Sequence, residues 1–295
     1  MRSFTEWREQ ADLQVVTVPT DVGLPTPAAL RQQWPLETSP LQALVQQTRI
    51  AIRRILHQSS QRRLVVCSPG PMSDRHRLLT CARLLRAVRT HCNASTEIIL
   101  QVELDALVRT GPTPALHSLR PFLLELLGAG MPLGATFRDT LTHRYVDDLL
   151  SWAQVSDCSI ESQVHREMAS GVPMPIAFGI NSDGTSRIAL DAIRTASTPH
   201  HFIAIDNHGR VGVVATRGNP DGHLLAHCRL SELRVQLDAS PGPCALRVGA
   251  LGGPEEPAWA RLAETLCLWH DTSAEAQASA DTEHGGRQQP APTLL

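Results

Sequence analysis

The sequence predicts an α/β fold of the (β/α)8 TIM-barrel type, incomplete at about seven strands and carrying an inserted β-hairpin and an N-terminal arm. Two observations predict the barrel. Short apolar runs alternate with segments of helical periodicity along most of the chain. Those runs are apolar throughout, as parallel strands buried on both faces require. A third observation predicts the hairpin, because two β-rich runs between His201 and Thr216 flank the turn text DNHG and break the rhythm.

Residues 1–38 are rich in Pro and Thr and read as an extended arm, followed by the barrel domain over 39–270. Ser39 is a good N-cap, Pro40 suits the first helical position, and Leu41, Leu44, Val45, Ile52 and Ile55 share one helical face. The run LVVC (64–67) precedes a helix beginning near Ser73, EIILQVEL (97–104) one near 117–128, and PLGATF (132–137) one near 142–150. AQVSDCS (153–159) leads into a helix over ESQVHREMAS, and PIAFGI (175–180) into one over SRIALDAIRTA. After the hairpin, HLLAHC (223–228) and CALRV (244–248) read as strands, and Trp259, Leu262, Leu266 and Trp269 mark a last amphipathic helix. Residues 271–295 lack apolar periodicity and are expected to be disordered. A parallel sheet one strand short of a full barrel should leave two apolar edges. The C-terminal helix, the arm or another subunit is therefore expected to cover a seam.

With 295 residues and 42% apolar content the chain can bury a substantial core. Acidic side chains exceed basic ones by only two, 29 against 27, so no general pull toward nucleic acid or anionic lipid is expected. The opening MRSFTEWREQ is charged where a signal peptide is apolar, and no run approaches the roughly 20 apolar residues of a membrane span. A cytoplasmic location and no membrane partner are the expectations. The 7 cysteines include no C-x-x-C pair, which argues against a disulfide framework or a zinc knuckle. Every basic side chain other than histidine is arginine, so chemistry that needs a lysine ammonium or a Schiff base is closed to this chain.

No H-E-x-x-H, G-x-S-x-G, Walker loop or G-x-G-x-x-G occurs. GALGGPEE (249–256) reads either as a backbone anion nest or as an ordinary Gly/Pro turn. Asp157, Cys158 and His227, at strand C-terminal ends, offer either new nucleophilic chemistry or buried thiols and a structural histidine.

Several texts carry a family likeness: ESQVHREMASG (161–171), MPIAFGINSDG (174–184), ALDAIRTASTPHHFIA (189–204), TRGNPDGH (216–223) and RLVVCSP (63–69). From about Pro25 to Val248 the chain resembles class I 3-deoxy-D-arabino-heptulosonate 7-phosphate (DAHP) synthases of the feedback-regulated bacterial type. The resemblance implies a metal-dependent (β/α)8 barrel. It also implies a transferase reaction joining phosphoenolpyruvate to erythrose 4-phosphate, the first step of the shikimate route to aromatic amino acids.

Function has to be read from the site rather than the fold, and the family's site positions are altered here. The cysteine ligand of the family's G-P-C-S-I-H-D falls on Gly70, or on Met72 with a gap, and a thioether is a poor ligand for hard or borderline divalent ions. In R-V-x-x-E-K-P-R-T-T, against QVELDALVRT, the substrate-binding arginine becomes Gln101, the lysine Ala106 and the second arginine Val108, with Arg109 one residue away. Thr136 stands for a carboxylate in G-E-F-x-D, and Cys158 for a phosphate-binding arginine, with Asp157 beside it. Gly179 replaces the lysine of G-F-K-N, His227 the arginine of L-R-G-G, and Ala250 the metal-binding histidine of D-F-S-H. The family's remaining carboxylate ligands lie on an eighth strand and beyond, where this chain turns to low-complexity sequence.

Phosphoenolpyruvate is a trianion near neutral pH, and its pocket must supply fixed cations or helix N-termini. Losing four or five charge-assisted contacts, at roughly 1.5–3 kcal/mol each, removes most of that binding energy. No catalytic residue, metal or cofactor is therefore expected. The retained text clusters on surfaces that such a family uses for subunit contact and amino-acid sensing. His165, Arg166 and Glu167 there are either interface residues or caps of their own helix. The expected role is that of a pseudoenzyme partner or regulator, in a homo-oligomer or with an active DAHP synthase or another biosynthetic enzyme. The alternative is an enzyme repurposed on the same scaffold in specialised metabolism, and an active DAHP synthase is least favoured.

Overall fold

The computed structural model describes residues 24–36, 40–69, 74–104, 112–180, 186–228, 245–248, 261–268 and 270–271. After α1 (Pro27–Gln33) and α2 (Pro40–Leu56) the chain alternates strand and helix. The order is β1 (Arg63–Cys67), α3 (Arg75–His91), β2 (Thr96–Glu103), α4 (Pro112–Gly128), β3 (Leu133–Phe137), α5 (His143–Val146) and β4 (Leu150–Val155). Next come α6 (Gln163–Ala169), β5 (Ile176–Gly179) and α7 (Arg187–Ala196), and then the hairpin strands β6 (His201–Ile205) and β7 (Val211–Ala215). The last strands are β8 (Gly222–Cys228) and β9 (Ala245–Val248), with a final helix, α8, over 261–268 and 270–271. No helix among the described residues is long and apolar enough to cross a membrane.

Seven strands close into a barrel in the order β1-β2-β3-β4-β5-β8-β9, all neighbours parallel. The expected seam does not exist, because Ala245 of β9 is in register both with Leu225 of β8 and with Leu64 of β1. Closure satisfies both backbone edges at once, which no covering helix could do as well. It is possible at seven strands because barrel diameter falls with strand number and the lumen is then filled by side chains. The indole of Trp152 occupies that lumen, and a Cβ on Gly134 would come within 2.9 Å of Trp152 Cδ1. Helix α8 buries Leu262 and Leu266 in the core outside the barrel wall.

Alternation along each strand sends one set of side chains inward and the other toward the helices. Inward, Leu64, Val66, Ile99, Trp152, Ala177 and Leu225 form one buried cluster with Ile52, Ile55 and Leu56 of α2. Helix α2 thereby stoppers the end at which the strands begin. Arg49 on the same helix donates to the Leu150 carbonyl (2.9 and 2.6 Å) and the Asp147 carbonyl (2.5 Å). Burial lowers its pKa to about 10, which still leaves it charged. Outward, Val65, Ile98, Leu100, Leu133, Phe137 and Phe178 join the larger core beneath α3, α4 and α7.

Two local expectations are corrected. The segment read as an extended arm contains α1, where Thr26 caps the helix by accepting from Ala29 N (3.1 Å) and Pro27 takes the first turn, a position that suits its missing N–H. Buried Leu30 seats this helix, Arg31 binds Asp147 (2.6 Å), Tyr145 donates to the Pro25 carbonyl (3.0 Å), and Ala28 N meets the Asn207 carbonyl of the hairpin turn (2.8 Å). The helix expected near 142–150 ends at Val146, and β4 starts at Leu150 rather than 153. Asp147 and Asp148 form a 3-10 turn there, drawn out by Arg31 and by the buried Arg120, which grips Asp148 with both amino groups (2.8 and 2.6 Å). The Ser39 cap, residues 1–23, the GALGGPEE turn and the 272–295 tail lie outside the described residues.

Candidate functional site

Toward the strand C-terminal ends the inward positions turn from apolar to polar. Ile99, Gln101 and Glu103 follow each other on one face of β2, as do Trp152 and Gln154 on β4. Gln101 donates Nε2 to Thr136 Oγ1 (2.7 Å) and to Gln154 Oε1 (2.8 Å), and Gln154 donates Nε2 to Asp157 Oδ1 (3.1 Å). Two residues further out, Glu103 Oε1 accepts from Arg247 Nη2 at 2.5 Å and, more weakly, from Thr136 Oγ1 (3.3 Å) and Ser68 Oγ (3.4 Å). Arg138 lies 3.7 Å from the other carboxylate oxygen. Because β1 separates β2 from β9, the Glu103–Arg247 pair spans the rim above β1.

Each partner of that pair is 14% exposed, so the cation and the anion compensate each other's desolvation. An incoming anion would have to compete with Glu103 for Arg247. Gln101 Oε1 is buried without a hydrogen-bond partner, the one unmet side-chain acceptor among these mouth residues. Among the described residues here, Arg138 and Arg247 are balanced by Glu103 and Asp157. Chemically, the described part of the mouth offers amide and hydroxyl groups, the Asp157 carboxylate, the Arg138 guanidinium and an ion pair that neutralises itself.

Of the positions at which the resemblance implies altered site residues, Gln101 and Thr136 meet in this network and are buried. Gly179 ends β5, and His227 lies on β8 with Arg247 of β9 as its Cα partner. Cys158 is exposed on the 3-10 turn after β4, beside Asp157. The grouping of Asp157, Cys158 and His227 divides between the ends of β4 and β8, with β5 between them. Gly70, Ala106, Val108, Arg109 and Ala250 lie outside the described residues. Sequence reading missed Glu103 and Arg247. Their signals were available: Glu103 follows Gln101 by two residues in QVEL, and an arginine within the apolar strand ALRV needs a buried partner.

Among the described residues, the mouth does not assemble a donor set for the divalent metal that the resemblance implies. Glu103 is committed to Arg247, Asp157 accepts from Gln154, and Gln101, Thr136 and Gln154 offer only amide and hydroxyl, while glycine and alanine at 70 and 250 would bring no side-chain ligand atom. Among the described residues, the group of metal-ligating side chains that does converge is His91, His270 and Asp271. Helix α3 runs back from the mouth, so His91 at its C-terminal end lies at the opposite face of the barrel.

Helix α6 carries the proposed interface residues half-buried. His165 donates Nε2–H to the Arg138 carbonyl (3.2 Å), which leaves Nδ1 to accept from Ser162 Oγ (2.9 Å). Arg166 donates to the Ile160 carbonyl (2.7 Å), and Glu167 accepts from Gln163 (3.0 Å). The bonds to Ser162, Ile160 and Gln163 are local and hold the loop into α6, while the His165 bond to the Arg138 carbonyl ties the helix to the segment after β3. Apolar exposure is concentrated instead on the hairpin, where Ile203, Val211 and Val213 are 77%, 75% and 72% exposed and share one face through the Ile203–Val213 and Ile205–Val211 pairs.

With this geometry in view, residues 46–229 match the family model described as the DAHP synthetase I family. The chain is similar to the Tyr-sensitive phospho-2-dehydro-3-deoxyheptonate aldolase of Escherichia coli (strain K12), at 33% identity over 218 residues covering 68% of this chain and 61% of that one. It is similar to the Trp-sensitive enzyme of Salmonella typhi at 33% over 219 residues, covering 68% and 62%. The chain thus spans less than two thirds of these relatives' length. A solved structure of phospho-2-dehydro-3-deoxyheptonate aldolase from Francisella tularensis SCHU S4 superposes with a TM-score of 0.72, covering 85% of this chain and 98% of that one at 20% identity.

Proposed function

The chain belongs to the DAHP synthetase I family, and from that premise we propose that it no longer condenses phosphoenolpyruvate with erythrose 4-phosphate. It acts by association, as a non-catalytic partner or regulator of an active DAHP synthase or a related biosynthetic enzyme. The observation that carries this reading is the commitment of Arg247 to Glu103 at 2.5 Å, at a mouth whose remaining described groups are neutral or acidic apart from the half-exposed Arg138. A trianion placed there would lose its hydration and meet a glutamate. Neutral Gln101, Thr136 and Gly179 stand where the resemblance puts an arginine, a carboxylate and a lysine.

The exposed apolar face of the hairpin supports the associative half of the proposal, since an unpaired two-stranded sheet with three outward aliphatic side chains is a surface that proteins normally cover. Titration of phosphoenolpyruvate with Mn²⁺ into the full chain tests the first half. No heat is expected, and micromolar binding would sink the reading. Light scattering tests the second half. Ile203→Asp with Val213→Asp should shift self-association, or association with an active synthase, toward free chains while leaving the melting temperature within a few degrees. Unchanged association in both assays would remove the hairpin from the proposal.

A further inference from the structure

We propose that His91, His270 and Asp271 form a binding site for one late first-row divalent ion, with zinc as the reference, at the barrel face away from the mouth. The ligand atoms of all three lie within 4.8 Å of one another. His91 Nε2 stands 3.1 Å from Asp271 Oδ1, close to the roughly 3.3–3.5 Å that separates two ligands held at about 2.0–2.2 Å on one tetrahedral ion. The two imidazole rings meet edge to face with centroids 5.3 Å apart. Two imidazoles and a carboxylate are the borderline donor set that suits zinc, cobalt or nickel rather than magnesium or calcium. Exposure of His91 and Asp271 leaves the fourth position to water.

The surroundings favour ligation over a chance ion pair. His270 Nδ1 is 2.7 Å from Ser95 Oγ, and Ser95 Oγ also lies 3.3 Å from the Cys92 carbonyl. A serine that donates to that carbonyl accepts Nδ1–H from His270, which orients the ring and leaves Nε2 as the unprotonated nitrogen. This is the outer-shell arrangement found on metal-binding histidines. The ligands come from chain segments about 180 residues apart, His91 at the end of α3 and His270–Asp271 at the end of α8. A bound ion would therefore fasten α8, already seated through Leu262 and Leu266, to the barrel wall. The inference is independent of whether the mouth is catalytic.

Calorimetric titration of the chelator-stripped full chain with Zn²⁺, and Co²⁺ titration followed by visible absorption, should show one ion per chain. Zn²⁺ in hundredfold excess over Kd should raise the melting temperature by roughly 5 °C. His91→Ala, a change at a half-exposed side chain, should fold normally yet bind at least about 10-fold more weakly, and His270→Ala likewise. The neighbouring thiols provide the contrast, since Cys92→Ser with Cys267→Ser should leave the affinity unchanged. Absence of a stoichiometric site would overturn the proposal and leave a simple His91–Asp271 ion pair. So would binding that survives His91→Ala, or binding abolished by the cysteine pair alone.

Discussion

In the half of the barrel lumen next to α2, inward positions are Leu64, Val66, Ile99, Trp152 and Leu225; toward the strand C-terminal ends they are Gln101 and Glu103 of β2, Thr136 of β3 and Gln154 of β4. The first half is held by volume, since closely packed apolar side chains tolerate neither voids nor additions. The second is held by pairing among Gln101, Thr136, Gln154, Glu103 and Arg247, with Gln101 Oε1 and Arg247 Nε left unmet. The difference separates what closes the barrel from what gives its mouth a chemical character. Closure depends on the packed half and the backbone ladder, and neither requires a particular charge at the rim.

The largest effect should come from the packed half. Trp152→Ala removes a fully buried indole that Gly134 makes room for, and should cost about 3–5 kcal/mol in urea denaturation. A loss below about 1 kcal/mol would mean that the lumen is not held by volume. At the mouth, Arg247→Met strands Glu103 and should cost about 2–3 kcal/mol, while Arg247→Met with Glu103→Leu should return to within about 1 kcal/mol of the parent. A double variant as unstable as Trp152→Ala would erase the distinction between the two halves.

Acid offers a third probe. Burial, first of all, holds the His143 pKa at about 3, below the ordinary 6.5, with the Arg144 charge adding to the effect. The unfolded chain therefore binds a proton between those values and the folded chain does not. His143's contribution is complete above pH 6.5 and is lost progressively as pH falls toward 3, about 2 kcal/mol between pH 7 and 5. His143→Phe, packed against Phe137, should flatten that slope in denaturation curves taken across the range. A slope that persists would point to other ionisable groups, the mouth pair among them. The smallest effect belongs to Ser68→Ala, whose contact with Glu103 is 3.4 Å long, and a shift under about 0.5 kcal/mol is expected.

From the sequence alone, periodicity located most of the strands and helices, though not α1 or the boundary before β4, and DNHG located the hairpin turn that the structure places between Ile205 and Val211. The residues Gln101, Ala106, Cys158, Gly179 and His227 were equally legible, and that they stand at altered site positions is what the resemblance implies. The tertiary structure decided that seven strands close, that α1 folds within the arm, and that Arg247 spends its charge on Glu103. Local pattern records which face of an element is apolar. It cannot record which element lies across the lumen, and Glu103 and Arg247 are 144 residues apart in the chain, joined only because β9 takes its place beside β1.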